Sequence, residues 1–264
     1  MPSDAHAHPH KLRELFPQQE AERRRLGIAC AASAWNLEEF EYHERLAREA
    51  ARMGAPPVLC CFAVHPQLAA ADKAGGRGLI RESLETLERL VREGRVIAVG
   101  ETGFDCFNRE FRETAPLQEE LFAAHLEFAI QGNLPVVLHV RRAMDRVFAH
   151  TKELRKVPAA IFHSYSGTLE DGVSLLRQGV NGYFSFGNPI GLNHKTAIAA
   201  CASLPKERLL LETDAPYQPW RGEPYSHWED LAGICREAAA IRQESPEELQ
   251  SQVDANFREA FGLG

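Results

Sequence analysis

Short apolar runs alternate along the chain with longer segments of helical period. The runs at 3–8, 28–33, 58–64, 96–101, 136–139, 160–163, 182–186 and 209–212 predict strands. Segments 36–53, 79–93, 116–131, 169–178 and 194–202 carry apolar residues three and four apart and predict amphipathic helices. Eight strands, each followed by a helix, is the pattern of a closed parallel (β/α)8 TIM barrel, with a doubly wound open sheet as the structural rival. Polar residues favour closure. They stand at the C-terminal ends of runs one, three, four, five, six and eight, which converge on one mouth in a barrel but spread along a crevice in an open sheet. Nor does a Gly-x-Gly-x-x-Gly follow the first run, as a dinucleotide-binding sheet would require. With no internal repeat, low-complexity tract or linker, residues 1–264 read as one domain. The glycine-rich stretch 75–78 reads as a surface loop before a helix, and 246–261 as a terminal helix packed on the outside.

Charge changes the picture of partners. A formal net charge of −7 disfavours broad coating of nucleic acid, which draws its affinity from Lys and Arg on phosphates. It leaves room for a cleft that holds phosphate through bound cations, because divalent ions reverse the local field. No apolar stretch approaches the roughly twenty residues needed to cross a bilayer, and no basic segment leads into an apolar core at the N-terminus. The expectation is a cytoplasmic protein without membrane contact. Cys30, Cys60, Cys61, Cys106, Cys201 and Cys235 form no Cys-x-x-Cys, so they read as small buried residues rather than a disulfide or zinc framework.

The candidate chemistry starts at His6 and His8. Two imidazoles at i and i+2 project from one face of a strand and can reach one divalent ion. Alone, that spacing is equally the mark of a solvated terminus. Four more donors at the ends of separate runs strengthen it: Glu101, His139, His163 and Asp214. A lone His ending a core strand is more often a hydrogen-bonded core residue, but His139 and His163 take equivalent places on neighbouring strands. Glu101, between two glycines, would be costly to bury without a partner, so it faces a ligand or bridges ions. Asp214 either caps a turn at Pro216 or joins the strand-one histidines as ligand and base. His65 precedes a proline that imposes extended geometry, which leaves a substrate contact and a loop hydrogen bond both open.

In order along the chain, the motifs resemble the TatD family of metal-dependent deoxyribonucleases, within the amidohydrolase-like barrels. The resemblance rests on Asp4-Ala5-His6-Ala7-His8, Val64-His65-Pro66, Gly100-Glu101-Thr102-Gly103-Phe104-Asp105, Gln118 with Phe122, Leu134-Pro135, His139 with Arg141 and Ala143, His163 with Ser166-Gly167, Glu212-Thr213-Asp214-Ala215-Pro216-Tyr217, and Asn256 before Phe261-Gly262. It implies two divalent ions (Zn²⁺, Mn²⁺ or Mg²⁺) at the barrel mouth. His6, His8 and Asp214 would hold one, His139 and His163 the other, and Glu101 would bridge them. Asp214 would also orient or deprotonate the attacking water, while His65, Arg141 and Arg221 would contact substrate. Three departures bear on substrate preference. Arg142 stands where the family commonly has Asp, Arg221-Gly222-Glu223-Pro224 lacks the family's Asn, and the loop from Tyr217 to Arg221 is short. Trp220, Tyr225 and Trp228 nearby suit either base stacking or ordinary packing.

The resulting expectation is a metal-dependent hydrolase of DNA phosphodiesters, acting at single-stranded 3′ ends, nicks or abasic sites through two-metal activation of water. An amidohydrolase-like esterase or lactonase acting on a small molecule keeps the ligands and changes the substrate. A non-catalytic metal-binding scaffold keeps neither turnover nor substrate.

Overall fold

The computed structural model describes residues 1–75 and 78–263. Its first half runs β1 (Ser3–Ala7), α1 (Pro9–Leu15), α2 (Gln19–Leu26), β2 (Ala29–Ala34), α3 (Leu37–Met53), β3 (Val58–Phe62), α4 (Leu68–Gly75), α5 (Gly78–Arg92), β4 (Ala98–Asp105), α6 (Arg109–Glu113) and α7 (Ala115–Gly132). The second runs β5 (Val136–Arg141), α8 (Met144–Ala149), α9 (Thr151–Leu154), β6 (Ala160–Phe162), α10 (Leu169–Arg177), β7 (Gly182–Phe186), α11 (Lys195–Ser203), β8 (Leu209–Leu211), α12 (Asp230–Arg242) and α13 (Pro246–Ala260). Single 3₁₀ turns precede α11 and β8.

All eight strands are parallel and paired in sequence order. Beyond β8 the chain hydrogen-bonds back to β1: Asp214 N donates to the His6 carbonyl at 3.0 Å and His8 N to the Ala215 carbonyl at 2.8 Å. The buried Asp4 carboxylate tightens this seam by accepting from Thr213 N and Thr213 Oγ1. The barrel therefore closes where the first and last strands meet, as the distribution of polar residues predicts.

Every strand is covered on both faces, and side chains alternate between them. Val58, Cys60, Phe62, Leu138, Phe162, Phe184, Phe186 and Leu211 join the layer between strands and helices. Ala29, Ala31, Leu59, Cys61, Val137, Ile161, Tyr183 and Leu210 fill the barrel. The terminal helix differs from its expected position on the outside: Phe257, Ala260 and Phe261 belong to the interior cluster. Asn256 Nδ2 donates to the Leu209 carbonyl and Ser3 Oγ to Asp254, so α13 covers the N-terminal ends of β8 and β1.

Most predicted boundaries lie within one or two residues of those observed. The largest difference is β4, which runs to Asp105, past the expected end at residue 101. The sequence pattern does not predict α1, α2, α4, α6, α8, α9 or α12; all but α12 span only four to eight residues, too short for a clear helical period. Gly76 and Arg77, the centre of the expected loop at 75–78, lie outside the described residues. All six cysteines are free and buried, as expected. Among the described residues no helix is long and apolar enough to cross a membrane.

Candidate metal centre

The alternation that fills the barrel also builds the site. Two residues beyond the inward-facing Ala31, Val137, Ile161 and Leu210 come Ser33, His139, His163 and Glu212, so at the C-terminal mouth the apolar layer gives way to a polar one. Glu101 arrives by another route. The β4–β5 register shifts between Gly100 and Thr102, an irregularity of the bulge type that re-aims a side chain. Gly100 and Gly103 bracket Glu101 and Thr102 where the strands run too close for a Cβ: one at Gly100 would lie 2.4 Å from Val137 Cβ, and one at Gly103 would lie 2.3 Å from the His139 carbonyl oxygen. Asp214 has a left-handed backbone (φ 54°), as do Ser164, Gln218 and Arg142, all at this mouth. Strained non-glycine residues concentrate at functional sites.

Glu101 is the hub. Its Oε1 lies 2.7 Å from His139 Nδ1, 2.7 Å from His163 Nε2 and 3.3 Å from His65 Nε2. Its Oε2 lies 3.3 Å from His6 Nε2 and 3.8 Å from His8 Nε2. Asp214 Oδ1 sits 3.4 Å from His8 Nε2 and 3.7 Å from His6 Nε2. Three donor groups result: His6 with His8 and Asp214, His6 with Glu101 and His163, and His65 with Glu101 and His139. All six expected ligands are thus brought together, and His65 joins them. The set suits a divalent ion: imidazole nitrogens and carboxylate oxygens converge, and His6 and His8 Nε2 approach to 3.2 Å, as do His139 Nδ1 and His163 Nε2. Two ring nitrogens face each other at that distance only with a proton or cation between them.

Outer partners orient three of the rings. Asp105 Oδ2 lies 3.0 Å from His139 Nε2, Glu212 Oε1 lies 3.3 Å from His163 Nδ1, and Ser33 Oγ lies 3.3 Å from His6 Nδ1. A carboxylate behind a histidine fixes its tautomer and raises its basicity, which is how metal-binding imidazoles are commonly held. Gln67 donates to Asp105 Oδ2, and Gln218 to Asp214 Oδ2. The motifs alone assign no role to Asp105, Glu212, Ser33, Gln67 or Gln218. The period-two rule carries the signal for Ser33 and Glu212, whereas the others depend on contacts across loops.

The protonation of this cluster follows from competing causes. Burial pushes the Glu101 carboxyl up, but the imidazoles of His163, His65 and His6 overcome it and hold it well below its ordinary range. Burial opposes a charge on His163, yet Glu101 and Glu212 raise it well above 6.5; Asp105 and Glu101 raise His139 against the same penalty, and Asp214 raises His8. Burial wins at His6, His65 and His43, which are lowered, and at His125, pushed down to about 4. Asp4, buried in the β1–β8 seam, is pushed up to about 8.

These directions predict the pH dependence of the metal-free protein. Raised imidazoles add stability that is complete below their unfolded value of 6.5 and lost as pH rises through their folded values. Lowered imidazoles remove stability as pH falls below 6.5, because the unfolded chain then binds more protons. Asp4 adds to the alkaline loss and offsets one of the four imidazoles on the acid side. Melting temperature in chelator should therefore peak near about pH 6.5. Divalent ions require neutral imidazoles, so their addition should lift the alkaline limb most. Thermal melts across pH with and without Zn²⁺ or Mn²⁺ check both limbs.

The expected substrate contacts divide. Arg141 lines the same cavity of about 1050 Å³ as Glu101, His139, His163 and Asp214. Arg221 does not: it is exposed and absent from the cavity wall. The strand-eight aromatics serve packing. Trp228 is fully buried with Nε1 donating to Gln19, Trp220 lies over Gly191 and Gly233, and Tyr225 rests on the main apolar layer.

A parallel eight-stranded barrel with a histidine and carboxylate donor cluster at its C-terminal mouth defines the metal-dependent barrel hydrolases of amidohydrolase type. The model of the TatD-related DNase family matches residues 3–262, and the chain belongs to that family. It is 39% identical over 194 residues to the 3′-5′ ssDNA/RNA exonuclease TatD of Pantoea ananatis, covering 67% of this chain and 70% of that one. The protein of the same name from Citrobacter koseri is 32% identical over 243 residues, covering 86% and 85%. Among solved structures, the TatD homologue YJJV of Escherichia coli K12 superposes with a TM-score of 0.81 at 26% identity, covering 99% of this chain and 98% of that one.

Proposed function

We propose that the chain is a two-metal phosphodiesterase that removes nucleotides from the 3′ end of single-stranded DNA. The observation that carries this reading is the division of Glu101, with Oε1 toward His139 and His163 and Oε2 toward His6 and His8. One carboxylate between two imidazole sets is the arrangement a pair of ions would share. His6, His8 and Asp214 would hold one ion and His139 and His163 the other, with His65 as a further donor beside Glu101. When bound, the ions supply charge neutralisation at the phosphoryl oxygens and make water acidic enough to attack at neutral pH.

The chain's own groups do the rest. Asp214 is held below its ordinary range, since His8, His163 and His6 outweigh the burial that raises it, and stays ionised to accept the proton of the attacking water at Oδ1. Gln218 fixes its other oxygen, at 2.5 Å, and is itself tied to Ser164. Asp105 keeps the His139 ring aligned, and hydrogen bonds from His139 and Gln67 overcome burial to hold its carboxyl down to about 2. Arg141, on the cavity wall, offers a guanidinium to a phosphate oxygen. The names of the Pantoea and Citrobacter relatives support a single-stranded substrate and the 3′-to-5′ direction.

A chelated, then metal-repleted protein tests the reading on oligonucleotides labelled at either end. A 5′ label should yield a ladder shortening one nucleotide at a time, and Mn²⁺, Mg²⁺ or Zn²⁺ should restore it. If no metal restores cleavage of any strand while a lactone or carboxyl ester is turned over, the small-molecule esterase reading replaces this one.

A further inference from the structure

Where β4 and β5 end, an exposed ring organises two cations. Phe107 is 43% exposed, yet its backbone is pinned by Phe107 N donating to Asp105 Oδ1 at 2.9 Å. Asp105 is the carboxylate behind His139, so the ring is tied directly to the donor cluster. The Arg141 guanidinium carbon lies 4.0 Å from the ring centroid and that of Arg142 lies 4.7 Å from it. Arg142 Nη1 also donates to the Phe107 carbonyl at 3.2 Å, from a left-handed backbone (φ 55°). A guanidinium stacked on a ring uses its face and keeps its in-plane N–H donors free for phosphate oxygens.

Arg141 lines the cavity, and Phe107 and Arg142 stand beside it at the rim. Asp105 lies 3.9 Å from Arg141, but among the described residues no carboxylate is within 4.0 Å of Arg142. Lys11, across the cavity, is answered by Glu14 at 3.3 Å and Glu39 at 3.7 Å.

Building on the nuclease reading, we propose that Phe107, Arg141 and Arg142 form a clamp for the phosphodiester next to the scissile one. Arg142 supplies the added phosphate contact, and Phe107 is a positioning residue that holds both guanidinium groups at the rim. The strand then leaves the centre across the ends of β4 and β5. A dinucleotide, whose single phosphodiester is the scissile one, gains nothing from the clamp, whereas longer strands do.

The test compares KM and kcat of the metal-loaded enzyme on a dinucleotide, a tetranucleotide and an octanucleotide, at salt from about 50 to 200 mM. Wild-type KM should fall with length. R142A should raise the octanucleotide KM about tenfold, the scale of a charge-assisted hydrogen bond, with R142D raising it further. The salt slope should shrink by about 0.7, the value for one phosphate contact on a single strand. R142K should keep the slope and lose part of the KM. F107A should raise KM, and F107W, which restores an aromatic face, should recover it; melting curves confirm that each variant folds. If R142D keeps the wild-type KM and salt slope on the octanucleotide while the wild type cleaves it, the clamp is overturned and the nuclease reading stands. If the wild type cleaves no strand of any length, both fall together.

Discussion

Replacing Glu101 by glutamine should reduce strand cleavage roughly a thousandfold or more, since losing an outer-shell partner alone costs about 10–100-fold and Glu101 faces both donor sets. The amide keeps the shape of the side chain, so the loss reports charge rather than packing. One of its two acceptor oxygens becomes a donor, and that NH₂ must then face either His139 and His163 or His6 and His8. Metal analysis of purified E101Q should therefore find reduced metal content, and melts of the metal-free variant should lose part of the alkaline limb that His163 and His139 provide through Glu101. D105N, which acts on His139 from behind, should cost about 10–100-fold and weaken metal affinity with it. Equal metal content and equal rates in E101Q and wild type would falsify the bridging assignment.

The second large effect is at Gly103, which carries no donor of its own but pairs with His139 across β4 and β5. Its φ is 133°, which side-chain-bearing residues rarely adopt, and a Cβ there would stand 2.3 Å from the His139 carbonyl oxygen. Neither atom sits on a flexible side chain that can swing aside, so β4 and β5 must separate. G103A should cost roughly 3 kcal/mol or more, combining backbone strain with overpacking. For a chain of this size that lowers the melting temperature by about 6–12 °C. Activity should fall further than stability accounts for, because the pair forced apart carries Glu101 and His139, which lie 2.7 Å from each other. Assays well below the transition separate the two losses. A G103A enzyme with wild-type kcat and melting temperature would show that the strands have room that the structure denies them.

Much of the site is legible along the chain because ligation needs particular residue types and a strand has a period of two. His6 and His8, His139 and His163 announce themselves as histidines where apolar runs end, and Glu101 as a carboxylate between glycines. Arg221 illustrates the limit of reading by motif: its charge and neighbourhood suggest a substrate contact, while the structure places it exposed beyond the cavity wall and away from the donor cluster. Trp228 shows the same limit from the other side, since an aromatic beside the mouth is packed into the core, where Gln19 on α2, 209 positions away, satisfies its indole N–H.

Sequence alone determined the order of strands and helices, the closed barrel, the six donors and the class of chemistry they suit, because these depend on local periodicity and on residue type. Tertiary structure decided the rest. The bulge at Glu101 divides its two oxygens between two sets of imidazoles, Asp105, Glu212 and Ser33 come to stand behind the rings, His65 joins the donors, and Phe107 gathers two arginines at the rim. Each of these is a meeting of side chains from different strands or loops, set by interstrand register and close packing, and no pattern along one stretch of chain records which residue on another strand it will face.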